Sequence, residues 1–335
     1  MDLETFFTTL YVIVDDWYRT DAPSAVRNRG GRPAQLSDSE VLTIALAGQW
    51  RVGVPWQSER GVVRYLQAHG RGLFPQMLER SAFNRRVRHL WNMFILLQQA
   101  TAQQLGSAED SYESVDCMPL PAYSLAQAKR EKGHWLWQST SGHGGTSGHL
   151  FIGDHLLLSV TRSGIITGWL LGAAHIQDRW LMEVFLSSRA GDPQCSIPTG
   201  KPRAGNRLKV ETGHIGPIQS AGQRPACPYL ADAAYNGDHW QHHWLGYGAT
   251  VIAPPQPNAY HAWSSAWKRW LAARRQPVET AFACLDTVLG IKRLAAHSRW
   301  GQYTRIAAKT AAYNLGCLIN RQLGRPQGAL ATLIV

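Results

Sequence analysis

Cysteine pairs, long apolar runs and a signal sequence are all missing from this chain of 335 residues. The five cysteines form no C-x-x-C pair and the histidines form no HExxH motif, so neither a disulfide framework nor a zinc site is expected. The cysteines are scattered, at Cys117, Cys195, Cys227, Cys284 and Cys317. Near its start the chain has acidic residues where a signal peptide would have basic ones. No apolar run reaches the roughly 18 residues that span a bilayer. We therefore expect a cytoplasmic protein with no membrane partner.

Acidic residues are outnumbered by basic ones. The chain has 34 Lys and Arg residues against 23 Asp and Glu residues, which gives a formal net charge of +11. Most of the basic residues are Arg, whose planar guanidinium group suits contacts with phosphate and with guanine. This surplus favours a polyanionic partner, and nucleic acid is the expected one.

The first hundred residues have the apolar periodicity of helices. Apolar side chains recur at helical spacing over residues 3–17, and Ser37 with Glu40 has the spacing of a capping box. Further helices are predicted over residues 59–69 and 81–104. We predict that residues 1–105 form an all-helical DNA-binding domain.

The predicted helix 81–104 has a basic face. Arg85, Arg86 and Arg88 occupy much of one surface, whereas Phe83 and Val87 are expected to face a core. Two interpretations stay open. The arginines form either a solvated helix face or the part of a DNA-binding helix that lies near the duplex, as in helix-turn-helix modules.

The pattern changes after about residue 110, where short apolar runs alternate with Gly and Pro. The runs, which predict strands, are 112–118, 148–160, 164–172, 228–232 and 249–253. The helix-like stretches are 176–188, 237–245, 277–289 and 302–321. This order predicts an α/β fold, a mixed sheet flanked by helices as in an RNase H-like core. We place this domain at residues 106–325, with a long loop at 190–227 and a tail at 326–335.

Two aspartates follow apolar runs, and one glutamate lies on an amphipathic segment far downstream. These residues are Asp116, Asp232 and Glu279. Taken singly, each is explained as a turn, cap or first-turn residue. Together they would form an oxygen-only site that suits Mg²⁺ or Mn²⁺, the metals of phosphoryl transfer. Pro119 and Pro121 are expected to end the first strand soon after Asp116.

A stripe of tryptophans with neighbouring cations precedes Glu279. The tryptophans are Trp263, Trp267 and Trp270, and the cations are Lys268, Arg274 and Arg275. The tryptophans are spaced to share one side of a helix. They form either a packed helix face or a stacking surface for an unpaired base, which would make Trp267 and the three cations DNA-binding residues.

Several stretches of the chain, taken in order, resemble one known family. They are Leu36–Ala45, Val115–Pro121, Leu230–Tyr235, Arg275–Leu285 and Ala308–Leu315. The chain resembles the DDE transposases of bacterial insertion sequences, and among them the 982-type group and its neighbours. The resemblance covers roughly residues 1–321.

The resemblance implies an RNase H-like catalytic core in which Asp116, Asp232 and Glu279 are the catalytic and metal-binding residues. It also makes Asp178 a second-tier site residue. The implied cofactor is a pair of Mg²⁺ or Mn²⁺ ions. The implied partners are double-stranded DNA, as terminal inverted repeats and target DNA, and a second copy of the chain in a homodimer on DNA. The expected location is the nucleoid of a bacterial cytoplasm.

Two alternatives to a transposase remain at this stage. One is a metal-dependent DNA nuclease of the same fold that cuts without joining. The other is a domesticated DNA-binding regulator that uses only residues 1–105. An intact set of three acids argues against the regulator, because a protein that only binds DNA gains nothing from convergent carboxylates.

Overall fold

The computed structural model describes residues 1–27, 34–123, 140–144, 149–191, 218–222, 227–256, 259, 262–296 and 298–335. Most of the loop predicted at residues 190–227 lies outside the described residues. The chain forms two compact units. One unit combines residues 1–105 with residues 283–335, and the other is residues 106–282.

Both units contain helices, and all of the described strands belong to the second unit. The α-helices are α1 (Leu3–Thr20), α2 (Ser24–Arg27), α3 (Asp38–Ala47), α4 (Glu59–His69), α5 (Arg80–His89), α6 (Trp91–Gln104), α7 (Asp178–Arg189), α8 (Asp238–Gly246), α9 (Ser265–Thr287) and α10 (Arg299–Gln322). The strands are β1 (Glu113–Tyr123), β2 (Thr140–Gly144), β3 (His149–Thr161), β4 (Ile166–Ala173), β5 (Tyr229–Leu230) and β6 (Val251–Ile252). Short 3-10 helices cover Ser107–Glu109, Ile218–Ala221, Ala233–Tyr235, Ile291–Arg293 and Leu330–Thr332. None of the described helices is both long enough and apolar enough to cross a bilayer.

The N-terminal helices begin where the sequence predicts. The side chain of Asp2 accepts a hydrogen bond from the Thr5 amide at the start of α1. The predicted capping box of α3 is present, because Ser37 and Glu40 each accept a hydrogen bond from the other's backbone amide. The predicted helix 81–104 is instead two helices, α5 and α6, which meet at Leu90. The buried Leu90 side chain anchors this junction.

The packing of helix α10 explains why the C-terminal part of the chain belongs to the helical unit. Its residues are buried almost without interruption from Gln302 to Asn320, so it needs partners on every side. It packs mainly on α6 and also on α3, and the Asn314 side chain donates a hydrogen bond to the Gln98 carbonyl at 3.2 Å. Residues 283–325 therefore pack with the N-terminal helices, which differs from the predicted domain 106–325.

The last ten residues also belong to the helical unit, although a separate tail was predicted at 326–335. Leu330, Leu333 and Ile334 are buried. The amide of Val335 donates to the Met1 carbonyl at 3.0 Å, and the Met1 amino group donates to the Leu333 carbonyl at 2.9 Å. Apolar burial and backbone pairing hold this segment in place.

The second unit is built on a six-stranded mixed sheet flanked by helices, which confirms the predicted α/β class. Strand β3 is antiparallel to β1 on one edge and to β2 and β4 on the other. Strand β5 is parallel to β1, and β6 is parallel to β5. All five predicted strands are present. Strand β2 was not predicted, because Thr140–Gly144 has no apolar alternation.

Strand β1 continues past the residues that were expected to end it. It runs through Pro119 and Pro121 to Tyr123 and stays paired with β3. The two prolines lie two positions apart, so their missing N–H groups face the same side of the strand. In the described residues β5 pairs with β1 only at Glu113 and Ser114. The prolines therefore lie where no parallel neighbour needs their amide protons, as on an edge strand.

A buried ion pair lies at the amino end of β1. The Arg189 guanidinium donates to the Glu113 carboxylate at 2.6 Å, to the Tyr229 hydroxyl at 3.1 Å and to the Thr167 hydroxyl at 3.0 Å. Both charged side chains are fully buried. Because so many donors and acceptors are matched, this pair fixes how α7 packs on the sheet.

Candidate active site

Asp116 lies in the middle of the sheet, on β1 and opposite Leu158 of β3. Its Oδ1 accepts a hydrogen bond from the Cys117 amide at 2.8 Å. Its Oδ2 accepts one from Nη2 of Arg275 at 2.7 Å. The Asp116 side chain is 23% exposed and the Arg275 side chain 14% exposed, so this ion pair is largely shielded from water.

The parallel pairing of β1 and β5 brings Asp232 to the level of Asp116. Ser114 pairs with Leu230, and each aspartate comes two residues later on its own segment. The backbone of Asp232 is still extended, with φ −82° and ψ −178°, so both carboxylates lie at the same height of the sheet. Oδ1 of Asp232 also caps the following 3-10 helix by accepting the Ala234 amide at 2.8 Å.

Asp178 is the first residue of α7 and lies on the Cys117 side of β1. Its Oδ1 is 3.5 Å from Nδ1 of His155. The Tyr235 hydroxyl donates to the Cys117 sulfur at 3.2 Å. Successive side chains of a strand point to opposite faces, so Asp116 and Cys117 lead to different faces of the sheet. Asp178 therefore approaches the site from the face opposite Arg275.

The pKa of the Asp116 carboxyl shows how crowded the site is. Burial raises this pKa, the Arg275 guanidinium lowers it, and the carboxylates of Asp232 and Asp178 raise it again. The pKa is about 6, compared with an ordinary 3.8. The pKa of Asp178 is also raised, by burial, which His155 partly offsets, and by Asp232. The three aspartates are thus close enough to repel one another.

Glu279 does not join the three aspartates. Its side chain is exposed on α9, and no described residue forms a hydrogen bond or an ion pair with it. Arg275 lies one helical turn earlier on the same side of α9. Glu279 is thus close to the site along the helix, while its carboxylate points into solvent.

The donor set fits a divalent cation in its chemistry. Asp116 and Asp232 supply carboxylate oxygens, which are the ligands that Mg²⁺ and Mn²⁺ prefer. Burial raises the pKa of Asp116 and the carboxylates of Asp232 and Asp178 raise it further, so a bound cation would stabilise the ionised form. Within the described part of the chain, no group of three or more Asp, Glu, His or Cys side chains is spaced to hold a metal ion. The Arg275 guanidinium is instead the cation bound to Asp116.

Comparison of the chain with protein-family models, curated proteins and solved structures gives no match. Function must therefore be inferred from the site itself, because a fold alone does not specify an activity.

Helix α9 carries two tryptophans of the predicted stripe, Trp267 and Trp270, whereas Trp263 precedes it. The helix is longer than predicted. It begins at Ser265 rather than near Pro277, which is an interior residue. Proline has no N–H group, so the Ala273 carbonyl lacks its helical donor at that point. The Trp267 side chain is exposed, at 57%, and its ring centroid is 5.4 Å from that of Trp270. The stripe is thus only partly a packed face.

The basic residues of α5 have different roles. Arg86 donates hydrogen bonds to the Asp38 carboxylate and to the Leu36 carbonyl, so it ties α5 to the start of α3. Arg85 and Arg88 are exposed. Of the three predicted DNA-binding arginines on this helix, two remain accessible to a partner and one is engaged within the unit.

Sequence reasoning missed three residues around the acids: His155, Cys117 and Tyr235. The absence of HExxH and C-x-x-C motifs excludes a zinc site or a disulfide framework, and it gives no sign that His155 and Cys117 lie beside the acids. Their positions in the strands are what bring Cys117 and His155 close to the acids. Cys117 directly follows Asp116, and His155 pairs with Pro119 across the sheet. Their positions follow from strand pairing, which no local pattern in the sequence reveals.

Proposed function

We propose that this chain is a DDE-type DNA transposase with an RNase H-like core, which cuts and joins insertion-sequence ends by metal-dependent phosphoryl transfer. The observation that carries the proposal is that Asp116 lies on β1 at the same level as Asp232, which comes two residues after Leu230 of the neighbouring parallel strand β5. Asp232 lies just beyond the carboxyl end of β5, where residues of a parallel sheet are well placed to form an active site.

The strand order supports the RNase H-like assignment. The antiparallel strands β4, β3 and β1 come first across the sheet, followed by β5 and β6, both parallel to β1. Along the chain, α7, α8 and α9 follow β4, β5 and β6 in turn. This is the order of strands and helices that the sequence predicts for such a core, with β2 as an addition.

Asp116 and Asp232 are the residues that would hold the divalent ions, and Glu279 completes the set that the family resemblance implies. Two such ions, when bound, would activate the attacking water or 3′-hydroxyl and stabilise the leaving oxygen. In the chain itself, Arg275 neutralises Asp116 and provides a guanidinium group beside the acids. A guanidinium in this position suits the phosphate of a DNA strand.

Double-stranded DNA is the proposed substrate, and a homodimer that holds two transposon ends is the proposed assembly. The basic net charge supports a DNA partner. So do the exposed cations Arg85, Arg88 and Lys268, which leave positive charge accessible on both units.

The test measures cleavage and joining separately. With Mg²⁺ or Mn²⁺ and DNA bearing the element's ends, we expect nicking that EDTA abolishes. Asp116→Asn and Asp232→Asn are expected to abolish nicking and to weaken Mn²⁺ binding measured by electron paramagnetic resonance. Asp238→Asn is the matched control, because Asp238 is an exposed carboxylate in the same unit. Nicking by either site variant at the wild-type rate would contradict the proposal.

A pre-cut end with a free 3′-hydroxyl separates a transposase from a nuclease. Given this end and a target plasmid, a transposase uses the same site for a second displacement and yields joined products. Trp267→Ala and Arg275→Ala are expected to reduce joining more than nicking, because both residues lie on α9 just before Glu279. Nicking without joining would identify a nuclease, and binding without nicking a regulator.

A further inference from the structure

A groove of about 530 Å³ opens against the first half of α9. Its main lining residues are Tyr112, Arg162, Leu230, Ile252, Trp270 and Arg274. None of the residues assigned above to metal binding lines it. The volume lies within the range of about 300 to 1,000 Å³ that is usual for small-molecule sites.

One side of the groove is apolar. Leu230 and Ile252 pair across neighbouring parallel strands and form its floor. The indole of Trp270 forms a wall and is only partly buried. A planar ring bound between an indole and aliphatic side chains gains both apolar burial and stacking.

The other side of the groove is cationic. The Arg274 guanidinium lies over the Trp270 ring, 4.5 Å from the ring centroid. Arg162 is exposed, and its backbone amide donates to the Tyr112 carbonyl at 3.2 Å. Among the described residues, no carboxylate forms an ion pair with the side chain of Arg162 or of Arg274. Both guanidinium groups are close enough to the Tyr112 hydroxyl to oppose the rise that burial causes in its pKa.

This combination selects a particular ligand chemistry. Two arginines and a phenol hydroxyl suit a phosphate group, which accepts several charge-assisted hydrogen bonds. An inorganic anion would leave the indole and the apolar floor unused. A purely apolar ligand would make no use of the two guanidinium groups. A ligand that satisfies both sides has an aromatic ring and a phosphate.

We propose that this groove binds a nucleoside monophosphate unit, with its base against Trp270 and its phosphate between Arg162 and Arg274. The unit is either a free nucleotide or one nucleotide of a single-stranded nucleic acid, and the chemistry of recognition is the same for both. The proposal goes beyond the transposase assignment and does not depend on it, because the groove requires neither metal ions nor cleavage.

Calorimetric titration of the full chain with three probes tests the proposal. We expect deoxyadenosine monophosphate to bind at least about tenfold more tightly than deoxyadenosine or inorganic phosphate, since only the nucleotide fills both sides. Arg162→Gln is expected to weaken nucleotide binding about tenfold and to leave deoxyadenosine binding unchanged. Trp270→Leu is expected to weaken binding of both the nucleotide and the nucleoside. Arg269→Gln removes an exposed neighbouring cation that does not line the groove, so it serves as the matched control.

A short single-stranded oligodeoxynucleotide identifies the source of the ligand. If it binds with the same sensitivity to Arg162→Gln and Trp270→Leu, the bound unit belongs to a strand. If only the monophosphate shows this sensitivity, the ligand is a free nucleotide. Equal binding of phosphate and nucleotide would overturn the proposal. So would wild-type nucleotide binding by both variants, with circular dichroism showing that they are folded. Because these titrations contain no metal and no duplex, a failure of DNA cleavage leaves their result intact.

Discussion

Arg275 and Asp116 form a largely buried ion pair, with Nη2 of the arginine 2.7 Å from Oδ2 of the aspartate. The two residues are far apart in the sequence and belong to α9 and β1. The pair places a fixed cation where the proposed function puts a divalent ion. The guanidinium therefore competes with the metal for the same carboxylate.

This competition predicts the effect of changing Arg275. Arg275→Gln is expected to raise the affinity of the chain for Mn²⁺ by about tenfold, because Asp116 loses the cation that neutralises it. Electron paramagnetic resonance of Mn²⁺ without DNA measures this affinity. Arg269→Gln removes a charge from the same helix at an exposed position and serves as the control. An unchanged or lower affinity would mean that Arg275 and the metal do not compete.

Replacing Glu279 is expected to affect activity and stability differently. Its side chain is exposed, so we expect Glu279→Gln to change the free energy of unfolding by no more than about 0.5 kcal/mol. The same variant is expected to lose DNA cleavage if Glu279 completes the metal site. Urea unfolding and a nicking assay on one preparation test both expectations. Wild-type cleavage by Glu279→Gln, together with loss of cleavage by Asp178→Asn, would transfer the third role to Asp178.

Replacing the arginines of α5 is expected to have two distinct effects, one on DNA binding and one on stability. Arg85→Ala and Arg88→Ala are expected to reduce the salt dependence of DNA binding by about one ion each, since exposed arginines contact phosphates. Arg86→Ala is expected to lower the free energy of unfolding by roughly 1–3 kcal/mol, because the Asp38 carboxylate loses its charged partner and the Leu36 carbonyl loses a donor. The full chain is required, because residues 283–335 pack with residues 1–105. Wild-type DNA binding by both exposed variants would make that surface only a solvated face.

Lys309 predicts how the stability of the chain depends on pH. Burial, reinforced by Arg51, lowers the pKa of this lysine to about 7 from an ordinary 10.5. Between about pH 7 and 10.5 the unfolded chain binds a proton that the native chain has released. The contribution of Lys309 to stability therefore rises with pH across that window.

Lys309→Met is expected to remove this rise. Below pH 7 the variant is expected to be more stable than the wild type by roughly 1–4 kcal/mol, because a buried charge is replaced by an apolar side chain. The advantage is expected to shrink towards pH 10. Lys292→Met is the control, since Lys292 is exposed and pairs with Asp286. Denaturant unfolding at several pH values tests the prediction, and a variant that is less stable at every pH would contradict it.

The sequence alone predicts most of the helices and strands. Apolar periodicity is a local property, and it locates the five main strands and the start of α3 at Ser37. Its failures occur where the local pattern is silent or misleading. Strand β2 has no apolar alternation. Pro119 and Pro121 can remain within β1 because, among the described residues, β5 pairs with β1 only at Glu113 and Ser114 and needs no amide donor further along.

The tertiary structure decides which of these elements meet. The register that places Asp232 level with Asp116 comes from pairing between distant strands, and the partner of Asp116 is an arginine from a helix much later in the chain. Helix α10 joins the N-terminal helices because it is buried on every side and α6 and α3 supply most of the packing around it. Periodicity specifies each element from neighbouring residues, whereas register, burial and charge pairing depend on residues that only the folded chain brings together.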